Sequence, residues 1–257
     1  MMVHELDAVT VALSRLRRAE APALAQKVFT GWLRAPSRLG EVFVAFTPDG
    51  VQFVRSAASV DGDPGAFAEA YRRRFARPLR PAERGPAGLL PALRGRRGGA
   101  APRLDLGELT TFARDVLIAT RTIPAGETRP YGWVAREAGR PAAVRAVASV
   151  LARNPVPLLV PCHRVVRSDG SPGEYMFGPA RKTELLQGEG ANLDDVADLA
   201  RHGVHYLGSD TTGVVCFPTC HHARRISPAH RAGFATVGDA VAAGYRPCRS
   251  CRPAAAA

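Results

Sequence analysis

A cysteine and a histidine are adjacent at positions 162 and 163, within the run Pro-Cys-His-Arg-Val-Val. A thiol attacks electrophiles only as the thiolate, and a neighbouring base or cation lowers its pKa enough to populate that form near neutral pH. Cys162 is therefore a candidate nucleophile and His163 a candidate base. The pair alone also fits a buried cysteine beside an ordinary core histidine, so the surrounding sequence must decide between the two interpretations.

The other cysteines form two pairs, Cys216 with Cys220 and Cys248 with Cys251. Three residues separate the first pair, two separate the second and 27 lie between the pairs, which is typical of a tetrahedral all-thiolate zinc site. His221 and His222 are weaker ligand candidates because four thiolates already complete the shell. The odd total of cysteines and the absence of a secretion signal argue against a disulfide framework.

Helices are predicted on the N-terminal side of Cys162. Apolar spacing predicts one in the segment 110–123, ending before Pro124, and two more over 131–138 and 142–153, around a Gly-Arg-Pro turn. The last two form a predicted helix-turn-helix. The second of them is rich in alanine, so its backbone could approach a nucleic acid closely or pack against the first helix, and the sequence leaves both open.

Five motifs occur in order around this region: Pro-x-Gly-Glu-Thr before Tyr131, Ala-Val-Arg-Ala-Val around Arg145, Asn154-Pro155, Pro-Cys-His-Arg-Val, and Glu189-Gly190. Together, about 80 residues resemble the catalytic half of the DNA O6-alkylguanine alkyltransferases. The resemblance implies DNA repair by direct transfer of a methyl or alkyl group from O6 of guanine to Cys162, with O4 of thymine as a further substrate left open. It also implies stoichiometric transfer without turnover, because the thioether product is inert.

The resemblance assigns roles to individual residues. Cys162, His163 and Glu189 would form a catalytic relay in which a water joins the thiol to the imidazole and the carboxylate orients the ring. Tyr131 and Arg145 would support base flipping: the tyrosine rotates the phosphate and contacts the flipped guanine, and the arginine fills the vacated place in the base stack. Asn154, grouped with these two DNA-site residues, would fix the turn before the active-site strand through an Asx-type bond.

The substrate pocket implied by the resemblance involves Val165, Tyr175, Met176, Phe177 and Lys182. The backbone carbonyls of Cys162 and Val165 would accept the guanine amino group, and the Met176 amide would donate toward O6. The family commonly has Ser-Gly-Gly after the pocket tyrosine, whereas this chain has Met176-Phe177-Gly178. We therefore expect a narrower pocket that accepts methyl adducts and tolerates benzyl adducts poorly.

The four-cysteine segment resembles the zinc domain of the Ada family of bacterial adaptive-response proteins. In that family the first metal-bound cysteine takes a methyl group from a DNA phosphotriester, which makes Cys216 a candidate second methyl acceptor. A purely structural zinc module is an equal alternative, since Phe217 stands where the family has an arginine. The C-terminal position of the module and the lack of intervening regulatory helices argue against a role as a methylation-switched activator.

The chain has 257 residues, 46% of them hydrophobic, and a net charge of +12. All but two of its 35 basic residues are arginine, which suits binding to a phosphate backbone, although solvated surface arginines give the same composition. Without a signal peptide or an apolar membrane span, a cytoplasmic location is expected. The expected partner is double-stranded DNA carrying alkylated bases or phosphotriesters, with no membrane association, and the protein is expected to be a monomer.

The predicted fold class is α+β in three parts: residues 1–103, 104–191 and 203–253. The first part contains two helices over 6–34 broken near Pro22, a β-hairpin of 41–46 with 51–55, a helix over 64–75 and a long connection over 76–103. The segment 191–203 is expected to be a short helix or a linker. The resemblances imply an RNase H-like sheet, a winged-helix-like alkyltransferase domain and a small α/β zinc module, in that order. Two competing functions are a non-catalytic sensor of alkylated DNA and a cysteine hydrolase, although neither needs both Cys162 and Arg145.

Overall fold

The computed structural model describes residues 28–96 and 100–254, and the chain divides into two compact units between Asp105 and Leu106. Within the described residues, ten strands and eight α-helices give a mixed α/β architecture. None of the helices in this part of the chain has the length and apolar character needed to cross a lipid bilayer. The predicted mixture of helices and sheets is confirmed at this level.

The first unit is built on a four-stranded sheet in the order β3-β2-β1-β4. Its strands are β1 (Thr30–Ser37), β2 (Gly40–Thr47), β3 (Gly50–Ser56) and β4 (Leu79–Pro81). The first three are antiparallel neighbours, and β4 pairs with β1 in parallel. Helix α1 (Pro64–Arg72) starts at Asp63, whose carboxylate accepts two backbone amides of its first turn. Its aromatic residues complete a core with those of the sheet and the following turn: Phe43, Phe53, Phe67, Tyr71 and Phe75.

The sequence predictions for this unit are confirmed in part. The hairpin and α1 form where expected, but the helix predicted through residue 34 is wrong from Thr30 onward, where β1 begins. Strand β1 pairs along its length with β2, so tertiary pairing outweighs the helical spacing of its apolar residues. Residues 1–27 lie outside the described residues. The connection 76–103 contains β4 and a short helix, α2 (Leu89–Leu93), both too short to give a periodic pattern.

The second unit starts with three helices that pack against one another: α3 (Thr111–Arg121), α4 (Tyr131–Glu137) and α5 (Val144–Ala152). The predicted helix-turn-helix of α4 and α5 is confirmed, although α5 begins at Val144 rather than at 142. Val147 and Leu151 face the core, whereas the small residues Ala142, Ala146 and Ser149 are exposed. The exposed part of α5 therefore carries the short side chains of Ala146 and Ser149 together with Val144 and Arg145.

Two short strands connect the helix-turn-helix to the cysteine segment. Strand β5 (Arg129–Pro130) leads directly into α4, and β6 (Val165–Val166) directly follows the 3-10 turn Cys162–Arg164. The two strands pair in parallel. This pairing brings the start of α4 next to the turn that carries Cys162. Helices α6 (Pro179–Gly188) and α7 (Leu193–Arg201) follow, and α7 fills the segment expected to be a helix or linker.

The C-terminal part of the second unit is a four-stranded sheet in the order β10-β8-β7-β9 with one helix, α8 (Val237–Ala242). Its strands are β7 (Tyr206–Ser209), β8 (Val214–Cys216), β9 (Arg231–Phe234) and β10 (Arg246–Pro247). Strand β8 ends at Cys216 and its parallel neighbour β10 ends just before Cys248. The sheet therefore brings the two cysteine pairs together, within the same compact unit as Cys162. The predicted boundaries of the three domains stay a prediction.

Candidate functional site

Cys162 is the first residue of the 3-10 turn and is only 5% exposed. Burial raises the pKa of its thiol above the ordinary value, while a hydrogen bond from the Asn154 side chain and the charge of Lys182 act in the opposite direction. The resting group is therefore a thiol. Negative charge on the sulfur would be stabilised by the hydrogen bond from the Asn154 side chain and by the nearby positive charge of Lys182.

Asn154 fixes the backbone around this thiol. Its Oδ1 accepts the Val156 amide at 3.0 Å, and its Nδ2 donates to the Val160 carbonyl at 3.0 Å and to the Cys162 sulfur at 3.3 Å. The bond to Val156 has the spacing expected of an Asx turn. Because the side chain is completely buried, it acts on the thiol from inside the protein and has no DNA-facing surface.

His163 and Glu189 are brought together from opposite ends of this segment. The imidazole Nε2 lies 3.0 Å from Glu189 Oε1, and both side chains are almost fully buried. Arg164 donates to both oxygens of the same carboxylate at 2.8 Å, and the Gly126 amide donates to Oε2 at 3.2 Å. Burial disfavours the charged carboxylate, but the hydrogen bonds from His163 and Arg164 outweigh it and hold the pKa of Glu189 well below its usual range.

Arg164 was not assigned a role from the sequence, although it belongs to the Pro-Cys-His-Arg-Val motif. Besides its two bonds to Glu189, it donates to the Ile123 carbonyl at 2.6 Å. It therefore connects the end of α3 to the carboxylate. A guanidinium that binds a carboxylate through two parallel bonds fixes its orientation as well as its charge.

Gly126 explains the Gly of the Pro-x-Gly-Glu-Thr motif. Its φ is +78°, and a Cβ at this position would lie 2.6 Å from the Glu189 carbonyl oxygen. Any side chain would therefore be strained and would displace the segment that carries Glu189. Glycine at this position therefore allows the turn to come close enough for its amide to reach the Glu189 carboxylate.

The two remaining predicted DNA-site residues differ in burial. Tyr131 is the first residue of α4 and is partly buried. Burial raises the pKa of its hydroxyl and the nearby Cys162 adds to the effect, so this hydroxyl is a proton donor at neutral pH. Arg145 lies on the exposed face of α5, beside Ala146. The structure thus brings Tyr131 close to Cys162 and leaves Arg145 open to a partner.

Two of the predicted pocket residues, Tyr175 and Phe177, form an aromatic row beside His163. The Tyr175 ring packs edge-on against His163 at 6.2 Å between centroids, and Phe177 packs edge-on against Tyr175 at 5.5 Å. Lys182 is buried and donates to the Val165 carbonyl at 2.6 Å. Burial lowers the pKa of Lys182 to about 8, against an opposing contribution from Cys162. Met176 is half-buried in the same segment.

The four remaining cysteines form one buried cluster. The sulfurs of Cys216, Cys220, Cys248 and Cys251 all lie within 4.8 Å of one another. A tetrahedral zinc site with Zn–S bonds of about 2.3 Å needs sulfurs separated by roughly 3.8 Å, and an all-thiolate set is a preferred zinc shell. The donor set therefore fits zinc, as the spacing in the sequence predicts.

His221 has a different partner from the one considered in the sequence. Both its backbone amide and its Nδ1 contact Glu127 Oε1, at 3.1 Å and 2.9 Å. Glu127 is buried and forms an ion pair with the equally buried Arg129. Glu127, Arg129 and His221 thus join the Pro-x-Gly-Glu-Thr turn to the zinc cluster, a link that the sequence did not predict.

A cleft of about 620 Å³ opens beside the cluster, with both Cys216 and Cys248 in its wall. Its lining includes three exposed arginines, Arg225, Arg246 and Arg249. Phe217 is not part of this lining; it packs on Tyr206 and under the Arg129 guanidinium. The cleft therefore combines a thiol with positive charge, even though the arginine expected from the family is missing.

Comparison with known proteins identifies two segments of the chain. Residues 111–191 match the family model of the 6-O-methylguanine DNA methyltransferase DNA-binding domain, and residues 196–254 match that of the metal-binding domain of Ada. The bifunctional transcriptional activator and DNA repair enzyme Ada of Escherichia coli is 49% identical over 83 residues, 32% of this chain and 23% of that protein. The methylated-DNA–protein-cysteine methyltransferase of Methanothermobacter thermautotrophicus is 46% identical over 91 residues, 35% of this chain and 51% of that protein.

Among solved structures, OGT of Mycobacterium tuberculosis in complex with DNA has a TM-score of 0.49 and 28% identity, covering 65% of this chain and 98% of that one. This chain spans about half or less of the length of the two curated relatives. The first family match contains Cys162 and the second contains the four-cysteine cluster. Residues 111–191 therefore belong to the 6-O-methylguanine DNA methyltransferase family, and residues 196–254 are a zinc-binding domain of the Ada family.

Proposed function

We propose that the protein repairs DNA by moving a methyl or other small alkyl group from O6 of guanine to Cys162, once per molecule. The observation that carries this proposal is the 3.0 Å contact between His163 and Glu189, directly beside the buried Cys162. A base supported by an ionised carboxylate is what a high-pKa thiol needs in order to react. The methylated-DNA–protein-cysteine methyltransferases among the relatives support the same activity.

The transfer balances as a single displacement. The thiol proton passes to His163 through a water, the sulfur attacks the methyl carbon in line, and the carbon–O6 bond breaks with its electron pair going to guanine. The guanine, which stays in the DNA strand, takes up one proton and becomes neutral, and His163 returns to neutral imidazole by giving up the proton that it received. The Glu189 carboxylate supports the imidazolium in between, and Arg164 and Gly126 keep that carboxylate ionised and oriented.

The DNA contacts would come from the helix-turn-helix. The base must leave the stack before a buried sulfur can reach its substituent. Arg145, exposed on α5, would enter the stack, and the Tyr131 hydroxyl, close enough to Cys162 for its charge to be felt, would donate to the flipped base. We also propose the finer features that the resemblance implies: an RNase H-like sheet in the first unit, a winged-helix-like second domain, specificity for alkylated DNA and a monomeric protein.

A second activity is favoured by the cleft at the zinc domain. Cys216 lies in its wall together with three exposed arginines, an arrangement that suits a DNA backbone. When zinc is bound by the four thiolates, it keeps them deprotonated and nucleophilic. We therefore propose Cys216 as acceptor of a methyl group from a phosphotriester, with Cys220, Cys248 and Cys251 as the other ligands.

Peptide mass spectrometry tests both activities. The zinc-loaded protein is incubated with duplex DNA carrying O6-methylguanine and, separately, a methyl phosphotriester. We expect one methyl group on the Cys162 peptide in the first case and one on the Cys216 peptide in the second; Cys162→Ser is the control for the first. Tight binding of the O6-methylguanine duplex without methylation of Cys162 would identify a sensor and overturn the main proposal. An unmodified Cys216 would leave the zinc domain with a structural role only.

A further inference from the structure

Three consecutive residues of the Pro-x-Gly-Glu-Thr turn contact either the relay or the zinc domain. Gly126 donates to Glu189, Glu127 accepts two bonds from His221, and Thr128 donates its amide to Thr219 Oγ1 at 2.8 Å. Thr219 and His221 directly flank the zinc ligand Cys220. The turn therefore lies between the carboxylate that supports His163 and the first cysteine loop.

The second cysteine loop contacts helix α4. The indole N–H of Trp133 donates to the Cys251 carbonyl at 2.9 Å, and the Arg136 guanidinium donates to the Arg252 carbonyl at 2.6 Å. Trp133 is only 3% exposed, so the hydrogen bond is shielded from water. Helix α4 is the element that begins with Tyr131, two residues before this contact.

A third contact reaches the segment of the relay itself. Arg224, in the 3-10 turn that follows the first cysteine pair, donates to the Gly190 carbonyl at 3.2 Å. Gly190 directly follows Glu189. The zinc domain thus contacts three parts of the proposed methyl-transfer site. These are the residue next to Glu189, the Pro-x-Gly-Glu-Thr turn and helix α4, which begins with Tyr131.

We propose that the zinc-loaded cysteine cluster positions the guanine-repair site, with Glu127, Trp133 and Thr219 as the positioning residues of this contact. The inference rests on the proposed function. The loops of residues 216–221 and 248–252 present their carbonyl, amide and hydroxyl groups in a fixed geometry only when their cysteines share a metal. If bound zinc favours the ordered arrangement of His163 and Glu189 through these contacts, then by linkage the same contacts must favour binding of zinc.

The reciprocal relation provides a readout that does not depend on activity. Thr219→Val keeps the side-chain shape but leaves the buried Thr128 amide without its acceptor, and Trp133→Phe removes the indole donor without changing the zinc domain. We expect both variants to release zinc to a chelator about tenfold faster than the wild type. Val241→Ala, an exposed position on α8, is the control and should match the wild type.

Hydrogen exchange of the full chain supplies the second readout. In the zinc-loaded wild type, the backbone amides of Gly126 and Thr128 should be protected from exchange. These amides should exchange faster in zinc-free wild type and in the Thr219→Val and Trp133→Phe variants. The single-turnover rate of Cys162 methylation should fall in parallel. Zinc release like that of the wild type in both variants, together with equal exchange at residues 126–133 with and without zinc, would overturn the inference. If zinc-loaded wild type fails to methylate Cys162, the proposed function is refuted, whereas zinc release and exchange still decide whether the two sites are coupled.

Discussion

The side-chain nitrogen Nδ2 of Asn154 lies 3.3 Å from the sulfur of Cys162. A residue eight positions before the cysteine therefore helps to lower the pKa of its thiol. Asn154→Asp keeps the acceptor for the Val156 amide and replaces the donor at the sulfur with a negative charge. A hydrogen bond to a charged group contributes about 1.5–3 kcal/mol, so we expect methyl transfer to slow by about tenfold or more. The pH–rate profile should also shift to higher pH, which single-turnover assays across pH measure.

Asn192→Asp is the matched control for this change. Asn192 caps α7 by accepting the Asp195 amide, and aspartate caps a helix equally well. Its transfer rate should equal that of the wild type. An Asn154→Asp protein with an unchanged rate and pH profile would show that the sulfur does not depend on this donor.

Glu189 links folding stability to acid pH. Its folded pKa is held well below the unfolded value of about 4.3, so its contribution to stability is present above that pH and is lost as pH falls toward the folded pKa. The stability advantage of the wild type over Glu189→Gln should therefore shrink as pH falls below about 4.3. Thermal unfolding of both proteins, treated identically with chelator between pH 7 and 3.5, measures the difference. A difference that stays constant over this range would contradict the assignment.

Arg145 should matter for repair and not for folding, because its side chain is exposed on α5. We expect Arg145→Ala to slow repair of O6-methylguanine in duplex DNA about tenfold or more, since the vacated place in the stack is left unfilled. The thermal unfolding midpoint should not change. Arg181→Ala, an exposed arginine on α6 paired with Glu184, removes the same charge elsewhere and should have little effect. Equal loss in both variants would point to general charge rather than to base flipping.

The aromatic wall of the pocket should set adduct size. Phe177 packs on Tyr175, which in turn packs on His163, so a large substituent on O6 meets this stack. We expect the wild type to repair methylated faster than benzylated guanine, and Phe177→Gly to narrow that gap mainly by raising the benzyl rate. Competing methyl and benzyl oligonucleotides in one reaction measure the ratio. Faster repair of the benzyl adduct by the wild type would refute the prediction.

Local sequence patterns predicted the elements whose partners are close in the chain. The hairpin of β2 and β3, the capped helix α1 and the helix-turn-helix of α4 and α5 all follow from alternation, capping and turn residues. Strand β1 was wrongly predicted as helix because its structure is decided by pairing with β2, a tertiary contact that spacing does not reveal. The cysteine spacing predicted the cluster because metal ligands constrain sequence directly.

Contacts between site residues that are far apart in the sequence could not be predicted from local patterns. Arg164 and Glu189 are 25 positions apart, and Thr128 and Thr219 are 91 apart, so neither contact leaves a local periodic signal. The sequence identified Glu127 only as part of the Pro-x-Gly-Glu-Thr motif. Its ion pair with Arg129 and its contact with His221 are seen only in the folded structure. The Pro-x-Gly-Glu-Thr motif thus located the turn but did not reveal what each of its residues contacts.

The buried ion pair of Glu127 with Arg129 limits how this protein can be dissected. A fragment cut at residue 191 would lose the Phe217 ring under Arg129, the His221 partner of Glu127 and the carbonyl that accepts the Trp133 indole. Two charges and an indole that are packed in the full chain would then face solvent. Residue 191 ends the first of the two family matches and is a convenient place to cut by sequence, yet a cut there would expose the interior surface that these side chains form.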